Sequence, residues 1–378
     1  MSRAASLGGL AAPIGCTLIG FTLIACQPKQ VREPQAAQRE SSEAPSSSEQ
    51  TKDALVSLEA RPELVLPTIF SPLSPVPGPY VELGLDTVEV GRFEIVSGER
   101  KADTDPSASF PRTALTDGST AWKEKLSGPI SISRDKAEHS NEAFDPVLRV
   151  AADHTIGAHE LLALMVGAED VAGIRRFKLF VRVPEVGLGV TNMTLLDQLP
   201  PTEPPEGSKP LLLTIDILPD GFTVSSPRAT LPQIEGCPST GPTVCRPKTQ
   251  VDPAALAKAR ALQRAGKYEE SRQEVAEVLT TYDWPGLYSK LVEVKRAHFN
   301  ATVVHIRLGD RDVPLAVLAQ LIDTAQYGLR KADGQDCTDD FSNSEELLAA
   351  VPCKRGGRLA PLFPDVVLLT QSTPTKKK

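Results

Sequence analysis

Six cysteines and five histidines are the residues best able to ligate a metal or attack a substrate. Cys16 and Cys26 lie in an N-terminal apolar stretch; the other four fall as two local pairs, Cys237 with Cys245 and Cys337 with Cys353. Three pairings of those four are possible, and the local one is expected because each pair flanks a short loop. Zinc would need closer ligand spacing with His or Cys nearby, and no C-x-x-C is present. His154 and His159 stand five apart, off the i, i+4 spacing that puts two ligands on one helix face. His139, His298 and His305 bring no third ligand beside them. No G-x-x-x-x-G-K-[ST], H-E-x-x-H or G-x-S-x-G occurs. A non-enzymatic protein with no metal and no cofactor is therefore expected. The acids of interest are Asp153 and Asp310, each at the end of an apolar run just before a helical pattern, and Asp323 within the second such helix. A carboxylate at a strand-to-helix corner either contacts a partner or caps the helix N–H groups.

The N-terminus carries the clearest targeting signal. Arg3 precedes an uncharged stretch, Ala4 to Cys26, that ends Leu23-Ile24-Ala25-Cys26. A positive start, an apolar core and a small residue before the cut describe a secretory signal. The Leu-x-Ala-Cys ending resembles a bacterial lipobox, which implies cleavage before Cys26 and a lipid on its thiol. Each buried lipid CH2 contributes roughly 0.8 kcal/mol, so several acyl chains anchor firmly. Gly8, Gly9, Pro13, Gly15 and Gly20 make the stretch a poor permanent span. Export also places the remaining cysteines in an oxidising space.

Residues 1–26 are thus expected as a lipoprotein signal peptide and 27–62 as a polar tether that cannot bury enough apolar surface to fold. As a coil the tether spans roughly 30–35 Å, and on the order of 100 Å when extended. The net charge of −7 argues against nucleic acid, which needs a basic footprint. The only run of like charge, Lys376-Lys377-Lys378, sits in a terminal tail, 373–378.

Between tether and tail the chain repeats itself. Tyr80 to Asp86 with Gly91 to Val96, and Leu211 to Ile217 with Phe222 to Val224 after Pro219-Asp220-Gly221, read as two hairpins. Val147 to Met165 and Val303 to Ile322 each read as a strand, an Asp, an apolar residue three on, and a helix. Aligning Asp153 with Asp310 aligns Ile156 with Val313 and Met165 with Ile322. The two helices end near Gly173 and Gly328, consistent with C-terminal glycines. Phe177 to Val183 and Asp365 to Thr370 close the copies as strands. Another helix is expected before each strand–Asp unit. It is faint at Thr120 to Leu126 and clear at Trp284 to Ala297, behind Asp283 as cap.

The expected fold is α+β: two tandem mixed-sheet β-β-α-β-α-β domains with helices on one face. Copy 1 covers 63–186, a Pro-rich linker 187–209, and copy 2 covers 210–372. Copy 2 carries an insertion, 227–283, with the first cysteine pair and a helical part opened by Asp252-Pro253. Leu256, Ala259 and Leu262 share a face there, and Gly266-Lys267-Tyr268 breaks the helix. This part resembles a tetratricopeptide unit, but a single unit cannot bury its own face, so a helical hairpin docked on copy 2 is expected. A second loop, 331–362, holds the Cys337 and Cys353 pair.

The run Val303-Val-His-Ile-Arg-Leu-Gly-Asp310-Arg-Asp-Val-Pro314, then Leu-Ile-Asp323-Thr-Ala325 and Tyr-Gly328-Leu, resembles the periplasmic domain of ExbD and TolR. Those are small subunits of proton-driven biopolymer transport motors in Gram-negative envelopes. Copy 1 keeps Asp153, Ile156 and Gly173 but has Gly157 where copy 2 has Pro314. The family's membrane helix carries a proton-binding Asp, whereas Ala4 to Cys26 contains no carboxylate, and a membrane proton relay needs an ionisable group. The resemblance implies an accessory on the periplasmic side, lipid-anchored at either membrane. Its expected partner is an ExbB/TolQ-type motor component, a TonB-like protein or peptidoglycan, met through Asp153, Asp310 or Asp323. An alternative is a scaffold lipoprotein that recruits an exported partner through its helical insertion, in which case removing 252–283 should leave the fold intact.

Overall fold

The computed structural model describes residues 64–70, 73, 76–93, 95–96, 99–100, 108–139, 144, 146–184, 187–197, 211–218, 221–231, 243–247, 253–309 and 313–370. Cys26, the tether, Cys237, Asp310 and the lysine tail lie outside these residues, as do the side-chain surroundings of Cys245.

Eleven strands form one mixed sheet. In chain order they are β1 Gly78–Leu83, β2 Thr87–Phe93, β3 Ser109–Pro111, β4 Val147–Ala152, β5 Arg176–Val183, β6 Gly187–Leu196, β7 Leu213–Leu218, β8 Gly221–Ser225, β9 Thr243–Pro247, β10 Val303–Leu308 and β11 Asp365–Leu369. The helices of the described residues are α1 Ala121–His139, α2 Ala158–Ala172, α3 Pro253–Arg264, α4 Tyr268–Thr280, α5 Trp284–Ala297, α6 Leu315–Gln326 and the short α7 Ser344–Leu348.

Across the sheet the strands run β3-β2-β1-β4-β5-β6-β11-β10-β7-β8-β9. The first five and the last five carry the same order and directions. Each half has an antiparallel hairpin, a third antiparallel strand on its outer edge, and two parallel strands inward. The third strand of each half, β3 and β9, went unseen in the sequence, β9 because it lies in a Pro- and Gly-rich stretch.

β6 joins the halves, antiparallel to β5 and parallel to β11. It occupies 187–196, the front of the expected linker. The prolines behind that expectation begin only at Pro200, whereas Val190, Met193 and Leu195 are buried. Two separate domains are not what forms: Val81, Leu83 and Val150 belong to one buried apolar cluster with Ile215, Ile306 and Leu318.

Alternation sorts the sheet faces. Val81, Leu83, Leu148, Val150, Val304 and Ile306 point into the same cluster as the buried faces of α1, α2, α5 and α6. On the other face Tyr80, Ala151, Phe180, Leu188 and Val190 pack with Leu64. The two faces expose a slip in the expected alignment. Pairing Asp153 with Asp310 would set Arg149 opposite Ile306, yet Ile306 is in the core and Arg149 sends its guanidinium to the Val76 and Val147 carbonyls. The backbone equivalent of Asp153 is Gly309. Asp153 N–H donates to Leu83 O and Gly309 N–H to Ile217 O, both at 2.9 Å. The second corner is one residue longer, so the strands shift by one against the helices, and a one-residue shift swaps faces. Ile156 with Val313 and Met165 with Ile322 remain matched, and all four are buried.

Local chemistry explains the helix ends. Glu160 accepts the Gly157 N–H at 2.9 Å and opens α2, and Gly173 at φ 66° ends it in the left-handed form. Asp283 accepts the Gly286 N–H at 3.0 Å and opens α5 over the expected span. Gly328 is no such terminator. Its N–H donates to Ala360 O, its carbonyl accepts from Cys353 N–H, and a Cβ there would stand 3.1 Å from the Cys353 sulfur.

The α3–α4 hairpin docks on both halves and not on the second alone. Ala259 and Val275 pack with Ala316 of α6, and Arg260 donates to the Thr155 carbonyl at 2.6 Å. Its inner face is part of the fold, which conflicts with the expectation that removing 252–283 leaves the fold intact.

Candidate functional site

Where the halves meet, their strand-to-helix corners bond to each other reciprocally. Ala158 N–H donates to Val313 O at 2.7 Å, and Leu315 N–H donates to Ile156 O at 2.8 Å. Gly157 bridges Pro314 between them. Each donor and acceptor has its counterpart at the matched position of the other half, as in a two-fold interface within a single chain.

Asp153 organises the first corner from inside. One carboxylate oxygen accepts the Thr155 N–H at 2.9 Å and its hydroxyl at 2.6 Å. The other accepts the Val65 N–H at 3.0 Å and the Gln263 side-chain amide. The residue is 0% exposed. It therefore meets neither expectation: it cannot reach an outside partner, and it does not cap α2, where the Gly157 N–H goes to the Glu160 carboxylate, the Ala158 N–H to Val313 O and the Glu160 N–H to Gly157 O. It closes a turn and fastens two distant segments. Beside it His154 is buried with no partner for Nε2, and burial pushes its pKa down to about 4 against the opposing pull of Asp153. Its backbone is fully used, its N–H on Val65 O at 2.8 Å and its carbonyl on Ala316 N–H at 3.1 Å. His159 lies against Gly157, and no group of three metal-ligating residues occurs among the described residues.

Asp323 lies on α6 and is half-buried, with Oδ1 sealed from solvent and without a hydrogen-bond partner. Burial raises its pKa to about 7, partly offset by the Phe70 N–H that it accepts. The Phe70 ring meets the Tyr327 ring edge-on at 6.2 Å, and the Asp323 charge adds to the burial that raises the Tyr327 pKa.

Both acids thus hold one segment, the chain that follows the polar stretch. Along this strap Val65 and Ile69 are buried, Ile69 N–H and Pro67 O bond to Arg182, and Leu73 O accepts the Val190 N–H. Sequence reasoning did not single out this segment, although Leu64-Val65-Leu66-Pro67-Thr68-Ile69-Phe70 is an apolar run long enough for an edge strand. Gln263 and Arg260 were missed too, since nothing in a helix pattern announces a polar residue that faces inward.

An ion pair lies on the sheet face away from the helices. Arg307 grips Asp216 with two bonds, 2.6 and 3.0 Å, across paired positions of β10 and β7. The matching positions of the first half are Ala151 and Glu82, and Glu82 accepts the Tyr80 hydroxyl at 3.0 Å.

Cys337 and Cys353 stand at disulfide distance, with Cα atoms 5.3 Å apart. No helix among the described residues is long and apolar enough to cross a membrane. No protein-family model matches the chain, and no curated protein matches it.

Proposed function

We propose that this chain is a non-enzymatic lipoprotein on the periplasmic side of a Gram-negative envelope, anchored through Cys26 and accessory to biopolymer transport. Its doubled ExbD/TolR-like fold acts as a built-in pair that binds an ExbB/TolQ-type motor component, a TonB-like protein or peptidoglycan. The observation that carries this reading is the reciprocal seam. Two equal strand orders and two matched backbone bonds let one chain present what two copies of a smaller subunit would have to assemble. Fusing a pair turns a bimolecular association into an intramolecular one.

The uncharged stretch before Cys26 supports an anchor and not a proton path, because it lacks any carboxylate. The tether that follows gives the folded part reach away from its membrane. Of the three acids expected to meet the partner, Asp153 is withdrawn by its burial and Asp323 is half-buried and accepts the Phe70 N–H, which leaves Asp310, outside the described residues, as the candidate contact. To test the reading, a tagged chain is crosslinked in its native cells and what co-purifies is identified. Recovery of an integral motor subunit or of wall fragments supports it. Recovery of neither, with the chain in the cytosolic fraction, overturns it.

A further inference from the structure

α5 and the loop 328–362 enclose a cavity of about 310 Å³. Its charge runs against that of the chain, whose formal net charge is −7. Lys295, Arg296 and Arg355 line it with a single carboxylate, Asp339. Arg296 is committed to Asp339 at 2.9 Å. Lys295 and Arg355 have no carboxylate partner among the described residues. Lys295 is half-buried, donates to the Ala301 carbonyl at 2.5 Å and lies 5.4 Å from the centre of the Phe363 ring. Burial lowers its pKa, as expected for an ammonium with no counter-ion. An anion in the cavity would relieve that cost.

The rest of the wall is apolar, with Val292, Pro361 and Leu362. Phe299 stands at the same cavity and is 74% exposed, more than any other large hydrophobic residue described. The loop is held in shape. The Cys337–Cys353 bridge ties it, Gly328 N–H bonds Ala360 O and Ala360 N–H bonds Cys353 O. A cavity at the low end of the ~300–1,000 Å³ range of ligand pockets takes a small molecule or the end of a longer one. Unmatched cations beside an exposed aromatic ring fit a ligand with a charged end and an apolar side chain. A bare inorganic anion would leave Phe299 unused.

We propose that this cavity binds the free carboxylate end of a short apolar peptide, with Lys295 and Arg355 on the carboxylate and Phe299 and Leu362 against the terminal side chain. Guanidinium–carboxylate bonds are the strong, directional ones, and capture of a chain terminus is a recurring recognition mode. The site depends on neither the lipid anchor nor the partner proposed above.

Calorimetric titration of the full-length chain with N-acetyl-alanyl-leucine, in parallel with its C-terminal amide, tests it. The acid is expected to bind one to one and saturably below about 1 mM, and the amide at least about tenfold more weakly. Arg355→Gln and Phe299→Ser change exposed residues, so the fold stays and each weakens the acid by about tenfold or more. Acetate at the same concentrations gives no saturable heat. The proposal is overturned if acid and amide bind alike, if the acid does not bind in this range, if Arg355→Gln binds unchanged, or if acetate binds as well as the peptide.

Discussion

Asp153 accepts four donors from three separate stretches of chain: Thr155 twice, Val65 and Gln263. Asp153→Ala leaves the Val65 and Thr155 amides buried without acceptors. The expected loss is about 2–4 kcal/mol, read as a lower denaturant midpoint with unchanged slope. Asp153→Asn keeps one oxygen for Thr155 but turns an NH2 group toward two donors, so it is also destabilising, though less so. His154 and Asp323 give the pH dependence. His154 titrates near 4 in the fold against 6.5 in the open chain, so between those values only the unfolded state takes up the proton. Stability from this group is lost as pH falls from 6.5 toward 4. Asp323 has the opposite sign. The native state holds its proton up to about 7 and the open chain only to 3.8, so stability is lost as pH rises across that interval. The two slopes oppose one another over pH 4 to 6.5. Asp323→Asn should therefore become more acid-sensitive there than the parent, and His154→Leu less so, when unfolding midpoints are compared across the range. Equal slopes in all three would contradict the burial of these groups. The positions of the two acids were legible from the sequence, since an Asp stands out before a helix or within one so apolar. Their partners were not, because a buried carboxylate chooses its donors from chain 88 and 110 residues away.

At the level of the element, periodicity carried the main strands and α5, where Leu287, Leu291 and Val294 are buried as their spacing requires. It failed where faces are less clean. α1 reaches Ala121–His139 although its sequence shows only a faint pattern, interrupted by Pro129. Its place is set by Trp122, Leu126 and Ile130 against the sheet and α2. Gly167 of α2 permits that contact, as a Cβ would stand 2.2 Å from the Trp122 ring. Gly167→Ala gains about 1 kcal/mol of helix propensity but overpacks the contact, for a net loss of about 1–3 kcal/mol by chemical denaturation. The corner before α6 defeated alignment by a single residue, a change that similarity along the chain does not register and sheet faces do. The loop 331–362 was recognised by its cysteines. Opening the Cys337–Cys353 bridge, which closes a span of 16 residues, should cost about 3 kcal/mol. Hydrogen exchange under reductant is expected to rise across 328–362 while β10 and β11 keep their protection. Equal loss in both would mean that the loop and the sheet unfold as one.

For the whole molecule, the repeat was visible in the sequence and its consequence was not. Two copies joined by a proline-rich piece suggest two bodies, but Gly187–Leu196 enters the sheet as β6 and makes the halves continuous. Whether a connector becomes a strand depends on the open edges it finds on both sides, which no local window contains. The strap, residues 64–70 with Leu73, has the same origin, as its bonds go to residues far along the chain. The α3–α4 hairpin then covers the first corner, so the seam is enclosed. A chain built in this way has already satisfied its own pairing surface and should need no second copy. Light scattering on the Cys26→Ala chain expressed without residues 1–25 tests this most directly. The mass of a single chain, unchanged across micromolar concentrations, is the predicted result. Twice that mass would mean that the halves do not serve as each other's partner, and would contradict the built-in pair.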